Sequence, residues 1–571
     1  MHARSVVLLL CLHGLVLHDR WLSVASSVEM VDDYYVEADG SSCHLMVTPP
    51  VVPESVEERL EHYRAMEAKD LLRHRQIISN NGGGSGGERR RRRRRRRRRH
   101  LLVARESWTT KLPEEMSSTS MFELPMRSAI NIAHVGMYLV MVRFGTPAMP
   151  YNLALDTATD LTWINCRLRR RKGKHYGRPH VQRSPTVNVL SFDGETSRPV
   201  KVVKNWYRPA KSSSWRRIRC SQQECAELPY NQCESANQTA SCSYYQVVQD
   251  GTTTSGIYGK EKATVALSGG RLAKLPGLIL GCSTFEAGGS VDSHDGVLAL
   301  GNSGISFGVH AAKRFSGRFS FCLNSGGSSY LTFGNNPAVV KGASTAMMAE
   351  TPLKYHPDMV VAYGVRVTSI TVAGELLDIP PEVWDDAIVG AGMVLDTGTS
   401  LTGLAPPAYT AVTRALHRHL AHLQRVTDIA GFDFCYTNNN YKFIPDFNFT
   451  IELEGGARLE PEAKSVVMPE VVPGVACLPF RKLDMGPGII GNVLMQDHLW
   501  EFDLITDKTN IYKIDYKALF WNKEAFVCCT KYTYLVNYFY VIANRHFPCI
   551  YKNHINFPTL YIDDNTCTVV E

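Results

Sequence analysis

From Met121 onward, short apolar or half-apolar runs alternate with breaks that carry Gly and Pro: MYLVMVRFGTP, NLALD, LTWINC, GLILGC, RFSFCL, SYLTFG, GVRVTSITVAG, GMVLD, DFNFTIEL and HLWEFDL. Short runs rich in β-branched and aromatic residues, bounded by turn formers, read as strands. Many such strands with few long helical stretches predict a mainly β architecture. PPAYTAVTRALHRHLAHL, Pro406 to Leu423, departs from this pattern. Its leading prolines and its apolar residues at three- and four-residue spacing predict a helix.

Residues 27–125 have another texture. Glu54–Gln76 shows helical spacing with many charges, and is followed by NNGGGSGGE and eleven arginines, Arg89–Arg99. This block changes the meaning of the net charge: without it, +8 becomes −3. The body is nearly neutral, so its charge argues for no particular partner. The arginines repel one another and cannot be buried, so the block reads as a solvated, protease-accessible segment. No aromatic residues are interleaved to stack on bases, and no nucleic-acid partner is expected.

At the start, His2 and Arg4 precede the apolar run Ser5–Leu17 and small residues at Ser23–Ser26, which reads as a secretory signal over 1–26. That run is too short to cross a bilayer, and no later stretch reaches the ~20 apolar residues needed, so no membrane span is expected. Fifteen cysteines behind a signal imply disulfides in an oxidising compartment. The cluster Cys220, Cys225, Cys233, Cys242 lacks the paired spacing of a zinc site, so no metal is expected. Sequons at Asn237 and Asn448 fit a secreted glycoprotein. A strongly basic insert over 167–205 reads as a surface loop. The stretch 516–571, rich in Tyr, Phe, Asn and Ile, shows no strand alternation and reads as foreign to what precedes it, such as translated non-coding sequence.

Two of the apolar runs end in the same chemistry. LALDTATDLTW (Leu153–Trp163) and MVLDTGTSLTGL (Met393–Leu404) each enter Asp-Thr, a small residue and a hydroxyl residue, then return to an apolar strand. One such turn is ordinary; its recurrence implies two related lobes. The chemistry that wants two such loops is peptide hydrolysis. Two carboxyl groups in contact share a proton. One takes a proton from water as general base while its protonated partner polarises the scissile carbonyl. Thr157 and Thr397 can tie the loops together, and Thr159 and Thr399 can donate to the outer carboxylate oxygens.

With GMYLVMVRFGTPAMPYNLALDTATDLTWINC, WYRPAKSSSWRRIRCSQQEC, CSYYQVVQDGTTTSG, GLILGCS, DGVLALG, GRFSFCL, GMVLDTGTSLTGL and PGIIGN in that order, residues 121–515 resemble the pepsin-like aspartic proteases of the plant nepenthesin-like type. The resemblance implies a bilobal β fold, a cleft between lobes at 126–345 and 346–515, and the catalytic pair Asp156 and Asp396. It also implies an inhibitory pro-segment within 27–125, a cysteine-rich insert over 220–242 and a flap over 243–256. The expected activity is acid endoproteolysis of polypeptides, without cofactor, by a monomer in the secretory pathway. Cell wall, extracellular space and vacuole fit, with the plastid as an alternative.

This chain departs from the family pattern at four places. Ala158 replaces the usual Gly, a change that strains the backbone if the position needs φ > 0. Ala299 stands where the second lobe has Gly491. At the flap, Val248-Gln249-Asp250-Gly251 replaces Tyr-Gly-Asp-Gly, leaving Tyr244 or Tyr245 as substitutes and Trp163 without its usual partner. Nine cysteines in the matching region leave one, such as Cys322, unpaired or paired with the tail. The altered flap and loop keep a second reading open, a non-catalytic binding or inhibitor protein on the same scaffold.

Overall fold

The computed structural model describes residues 121–129, 136–168, 205–233, 239–247, 253–287, 294–324, 328–336, 349–355, 361–384, 392–429, 431–437, 447–484 and 487–513. It also describes Leu60, Arg64 and Asp70, and the strands Thr559–Asp563 and Thr566–Val570. The signal, the arginine block, most of the basic insert, Asn237, and Val248, Asp250 and Gly251 lie outside the described residues.

Contacts divide the chain into two compact units, Thr48–Pro548 and the pair Met1–Val47 with Cys549–Glu571. In the second, Thr559–Asp563 and Thr566–Val570 pair antiparallel, from Thr559↔Val570 to Asp563↔Thr566. A strand pattern is therefore present in a stretch expected to have none. Its cause is local, since the β-branched Thr566, Thr568, Val569 and Val570 favour an extended chain.

The larger unit is mainly β, as the short alternating runs predict. A fourteen-stranded sheet runs through Phe122–Ser128, Tyr138–Phe144 and Met149–Asp156 and ends beyond Thr253–Ala266. Phe122, Leu124 and Met126 alternate inward with less buried neighbours, the period-two signature of a one-faced strand. Strands near the carboxylates behave differently: Gly296–Ala299, Met393–Asp396 and Gly488–Gly491 are buried at every residue. They are covered on both faces, which is why they appear in the sequence as unbroken apolar runs.

The same supersecondary unit occurs twice. Met149–Asp156 runs parallel to Gly296–Ala299 with Asp156 opposite Ala299, and Trp163–Asn165 returns antiparallel on the other side of that strand. Met393–Asp396 runs parallel to Gly488–Gly491 with Asp396 opposite Gly491, and Thr402–Leu404 returns in the same way. Each aspartate therefore ends a buried strand and is braced by a parallel neighbour.

His498–Asp503 and Lys508–Lys513 join the large sheet beside Arg318–Cys322. Phe319 stacks on Phe502 with centroids 4.7 Å apart, and Tyr363 tilts against Phe502 at 4.9 Å. Such pairs add about 0.5–1.5 kcal/mol each beyond area burial, and here they join the late strands to Tyr363–Val365, which pairs with Met393–Asp396. The predicted helix spans Pro406–Leu420, three residues shorter than its periodicity suggests. His417, Arg418 and His419 crowd its last turn, where positive charge favours the helix end. The main-chain N–H of Leu423 then closes a turn on the Leu420 carbonyl.

Candidate active site

Asp156 and Asp396 are buried, at 4% and 0% exposure, on two tight loops bound to each other. The N–H of Thr157 donates to the Thr397 hydroxyl at 3.1 Å, and the N–H of Thr397 donates to the Thr157 hydroxyl at 3.0 Å. Each hydroxyl in turn donates to the main chain just before the opposite aspartate. Thr157 Oγ1 reaches the Leu395 carbonyl at 3.0 Å, and Thr397 Oγ1 reaches that of Leu155 at 3.2 Å. Four polar groups that would otherwise be orphaned in a dry interior satisfy one another and fix the spacing of the loops.

Each inner carboxylate oxygen accepts one main-chain N–H, from Ala158 to Asp156 Oδ1 at 2.8 Å and from Gly398 to Asp396 Oδ1 at 2.9 Å. The outer oxygens differ. Thr399 Oγ1 donates to Asp396 Oδ2 at 2.6 Å, as expected. The matching bond from Thr159 to Asp156 is not formed among the described residues; Thr159 is held instead by its carbonyl, which accepts from Gly301 at 2.9 Å. Thr159 therefore does not play toward Asp156 the part that Thr399 plays toward Asp396.

Ala158 resolves differently from the expectation of strain. It is not among the residues with positive φ, so its Cβ meets no left-handed penalty. Its side chain is 1% exposed and packs with Ala362, Val394, Leu483 and Ile489, all from the segment beyond residue 360. Ala299 lies outside that cluster. Two glycines beside the loops do answer to close approach: a Cβ on Gly301 would lie 2.4 Å from the Thr159 carbonyl oxygen, and one on Gly491 would lie 2.5 Å from that of Ser400.

Asn492 follows Gly491 in the quoted run PGIIGN, yet received no role from sequence reasoning. Its Nδ2 donates to the Thr397 carbonyl at 3.0 Å and to that of Gly136 at 2.9 Å, tying the second loop to the first sheet. A polar residue inside an otherwise apolar buried run was the available signal.

In the stretch expected to form a flap, Ser243–Val247 pairs with the start of Thr253–Ala266. Alternation decides between the two tyrosines. Tyr244 is buried at 1% beside Trp163, and its hydroxyl lies 3.3 Å from that of Thr254, whereas Tyr245 is 50% exposed. Burial raises the Tyr244 phenol well above its ordinary value, so it stays protonated. Trp163 packs edge-on to His294 at 5.9 Å.

Cys166–Cys282, Cys220–Cys233, Cys225–Cys242 and Cys435–Cys477 form disulfides. Cys322 is also disulfide-bonded, with its partner outside the described residues, so it is not the unpaired cysteine. The sulfurs of Cys220, Cys225 and Cys233 lie close together because two disulfides pack side by side, and oxidised sulfur offers no thiolate to a metal. Both ends of the basic insert are pinned: Arg167 N–H donates to the Tyr207 carbonyl at 2.8 Å, and Tyr207 N–H to that of Asn165 at 2.7 Å. Asn448 is exposed at the head of Phe449–Leu453, as a glycan acceptor must be. No helix among the described residues is long and apolar enough to cross a membrane.

One contact reaches the Asp396 loop from Asp70, far upstream in the chain. Asp70, helical and 4% exposed, accepts from the main-chain N–H of Leu401 at 3.0 Å and of Ser400 at 3.3 Å. These amides lie four and five residues past Asp396. Helical spacing marked the segment but gave no hint of this long-range partner.

Comparisons with known proteins bear on the family and the fold. Residues 138–335 match the family model described as xylanase inhibitor N-terminal, and 362–510 match that described as xylanase inhibitor C-terminal. Aspartyl protease family protein 2 of Arabidopsis thaliana is 28% identical over 379 residues, 65% of this chain and 70% of that protein. Aspartic proteinase nepenthesin-2 of Nepenthes gracilis is 26% identical over 401 residues, 68% of this chain and 79% of that protein. Among solved structures, basic 7S globulin from soybean aligns with TM-score 0.52 and 19% identity over 71% of this chain and 98% of that one, a likeness of fold alone.

Proposed function

Because the chain belongs to the plant pepsin-like aspartic protease family and has its mainly β, bilobal fold, we propose that it is an aspartic endopeptidase that hydrolyses polypeptides at acidic pH. The observation that carries the reading is the reciprocal Thr157–Thr397 lock, which holds two buried aspartates on facing loops. Asp156 and Asp396 share one proton. The ionised member takes a proton from a water between them, the water oxygen attacks the scissile carbonyl carbon, and the protonated member donates a hydrogen bond to the developing oxyanion. The proton taken up then passes to the leaving amine. The N–H groups of Ala158 and Gly398 hold the inner oxygens and Thr399 holds the outer oxygen of Asp396, which fixes how the carboxyl groups are turned toward that water.

The chain acts as a monomer in the secretory pathway, in cell wall, extracellular space or vacuole, with glycans at Asn237 and Asn448. Residues 27–125 are the pro-segment, and the Asp70 contact beside the Asp396 loop supports that assignment. A second reading, a binding or inhibitor protein without turnover, draws on Val248 at the flap and on the missing Thr159 bond.

Purified protein, acid-treated, is expected to cleave a denatured protein substrate and to be blocked by a statine-type inhibitor; the Asp396→Asn variant is expected to be inert. Wild-type protein that is folded but cleaves nothing would favour the binding reading. Turnover that survives Asp396→Asn would place the chemistry elsewhere.

A further inference from the structure

The cysteine-rich insert makes contacts that its disulfides alone do not require. After the short helix Gln223–Glu227 the chain runs beside the flap strand Ser243–Val247. Tyr245 N–H donates to the Tyr230 carbonyl at 3.1 Å, Asn231 bridges Tyr244, and Gln232 N–H donates to the Ser243 carbonyl at 2.9 Å. In the same stretch, the Tyr258 hydroxyl donates to the Pro229 carbonyl.

Tyr230 sits at φ 59°, a left-handed conformation that a bulky side chain adopts only where its surroundings demand it. What the conformation achieves is visible at both ends of the residue. The main chain pairs with the strand Ser243–Val247, while the phenol donates to Asp160 Oδ1 at 3.0 Å. Asp160 is 6% exposed and lies four residues past Asp156 on the same loop. A buried carboxyl group needs hydrogen-bond partners. Cys220–Cys233 and Cys225–Cys242 anchor the insert at both ends of this stretch.

We propose that Tyr230 is a positioning residue for the dyad, coupling the flap strand to the Asp156 loop through Asp160, so that the insert works as a strut between them. Its catalytic consequence rests on the protease reading above. The coupling itself does not. The strut braces the first loop from outside, at Asp160, whereas Thr399 braces the second loop locally, at Asp396. Loss of the phenol would leave the fold intact but let Asp156 wander relative to the flap, and small misplacements of reacting groups are costly.

The test uses the full-length secreted protein carrying Tyr230→Phe. Amide exchange, read by mass spectrometry, is expected to quicken roughly tenfold in peptides covering 156–163 and 243–247 and to stay at wild-type rate over 393–404. In the active enzyme kcat is expected to fall about tenfold with KM little changed. Asp160→Asn, which keeps an acceptor for the phenol, should stay nearer wild type in exchange than Asp160→Ala. Wild-type exchange over 156–163 in Tyr230→Phe overturns the proposal, and so does quickening spread evenly over both lobes, the mark of general destabilisation. If the wild-type protein proves to have no turnover, the protease reading falls and the exchange results still decide the coupling.

Discussion

Thr157 and Thr397, separated by 240 residues, each give a main-chain N–H to the other's hydroxyl, at 3.1 and 3.0 Å. Both are fully buried, so neither partner has water to fall back on. Thr397→Val keeps the shape and removes the hydroxyl, stranding the Thr157 N–H. A loss of about 1–3 kcal/mol of stability is expected, measurable by urea denaturation. A parallel fall in kcat/KM of about a hundredfold is expected from loosened loops. Unchanged stability and turnover would mean that the lock does not set the dyad.

Ala158 is expected to favour stability. Its backbone is not left-handed, and its Cβ fills a contact with Ala362, Val394, Leu483 and Ile489. Ala158→Gly, which restores the usual family residue, should cost about 0.4–1 kcal/mol through lost packing and a freer unfolded chain. It should not raise kcat/KM. A gain in turnover would show that the methyl group was in the way.

Asp70 holds two amides close to Asp396. In the uncleaved chain, Asp70→Ala should tighten binding of a statine-type inhibitor by about tenfold, since a charge-assisted contact no longer competes for the site. Titration of inhibitor against intact protein is the measurement; equal affinity in variant and wild type would separate Asp70 from latency.

Acidification acts on His310. Burial first, then the nearby Arg314 and Lys313, lowers its pKa from 6.5 to about 4, against the opposing bond to the Pro276 carbonyl at 3.0 Å. In the window between these two values the unfolded chain binds more protons than the folded one, so stability falls as pH falls through it. Below the window the loss is complete, and above it the group contributes nothing. His310→Gln is expected to flatten the pH dependence of the denaturation midpoint between about pH 6.5 and 4. An unchanged slope would show that His310 titrates normally.

Much of this was legible in the chain. The mainly β architecture followed from short runs bounded by Gly and Pro, and the plant aspartic protease family from motifs in a fixed order. The buried aspartates could be named because an apolar strand ending in Asp-Thr is a local signal, and it occurs twice. Tyr244 against Tyr245 was half-legible: alternation says that only one faces inward, but not which.

Contacts across sequence were not legible. No local pattern announces that Asp70 meets Ser400 and Leu401, that Asn492 bridges Thr397 and Gly136, or that Tyr230 reaches Asp160. The effect of Ala158, conditional on its backbone, stayed open for a related reason. A residue type states a backbone preference, whereas its actual φ and its neighbours depend on how the two lobes close. By itself the sequence determined the strands, the pair of carboxylates and the oxidising chemistry of the cysteines, because each depends on residues close along the chain or on composition. Only the tertiary structure decided how the loops are locked, which groups stay dry and what packs against the two aspartates, because burial and hydrogen bonding are properties of packed neighbours.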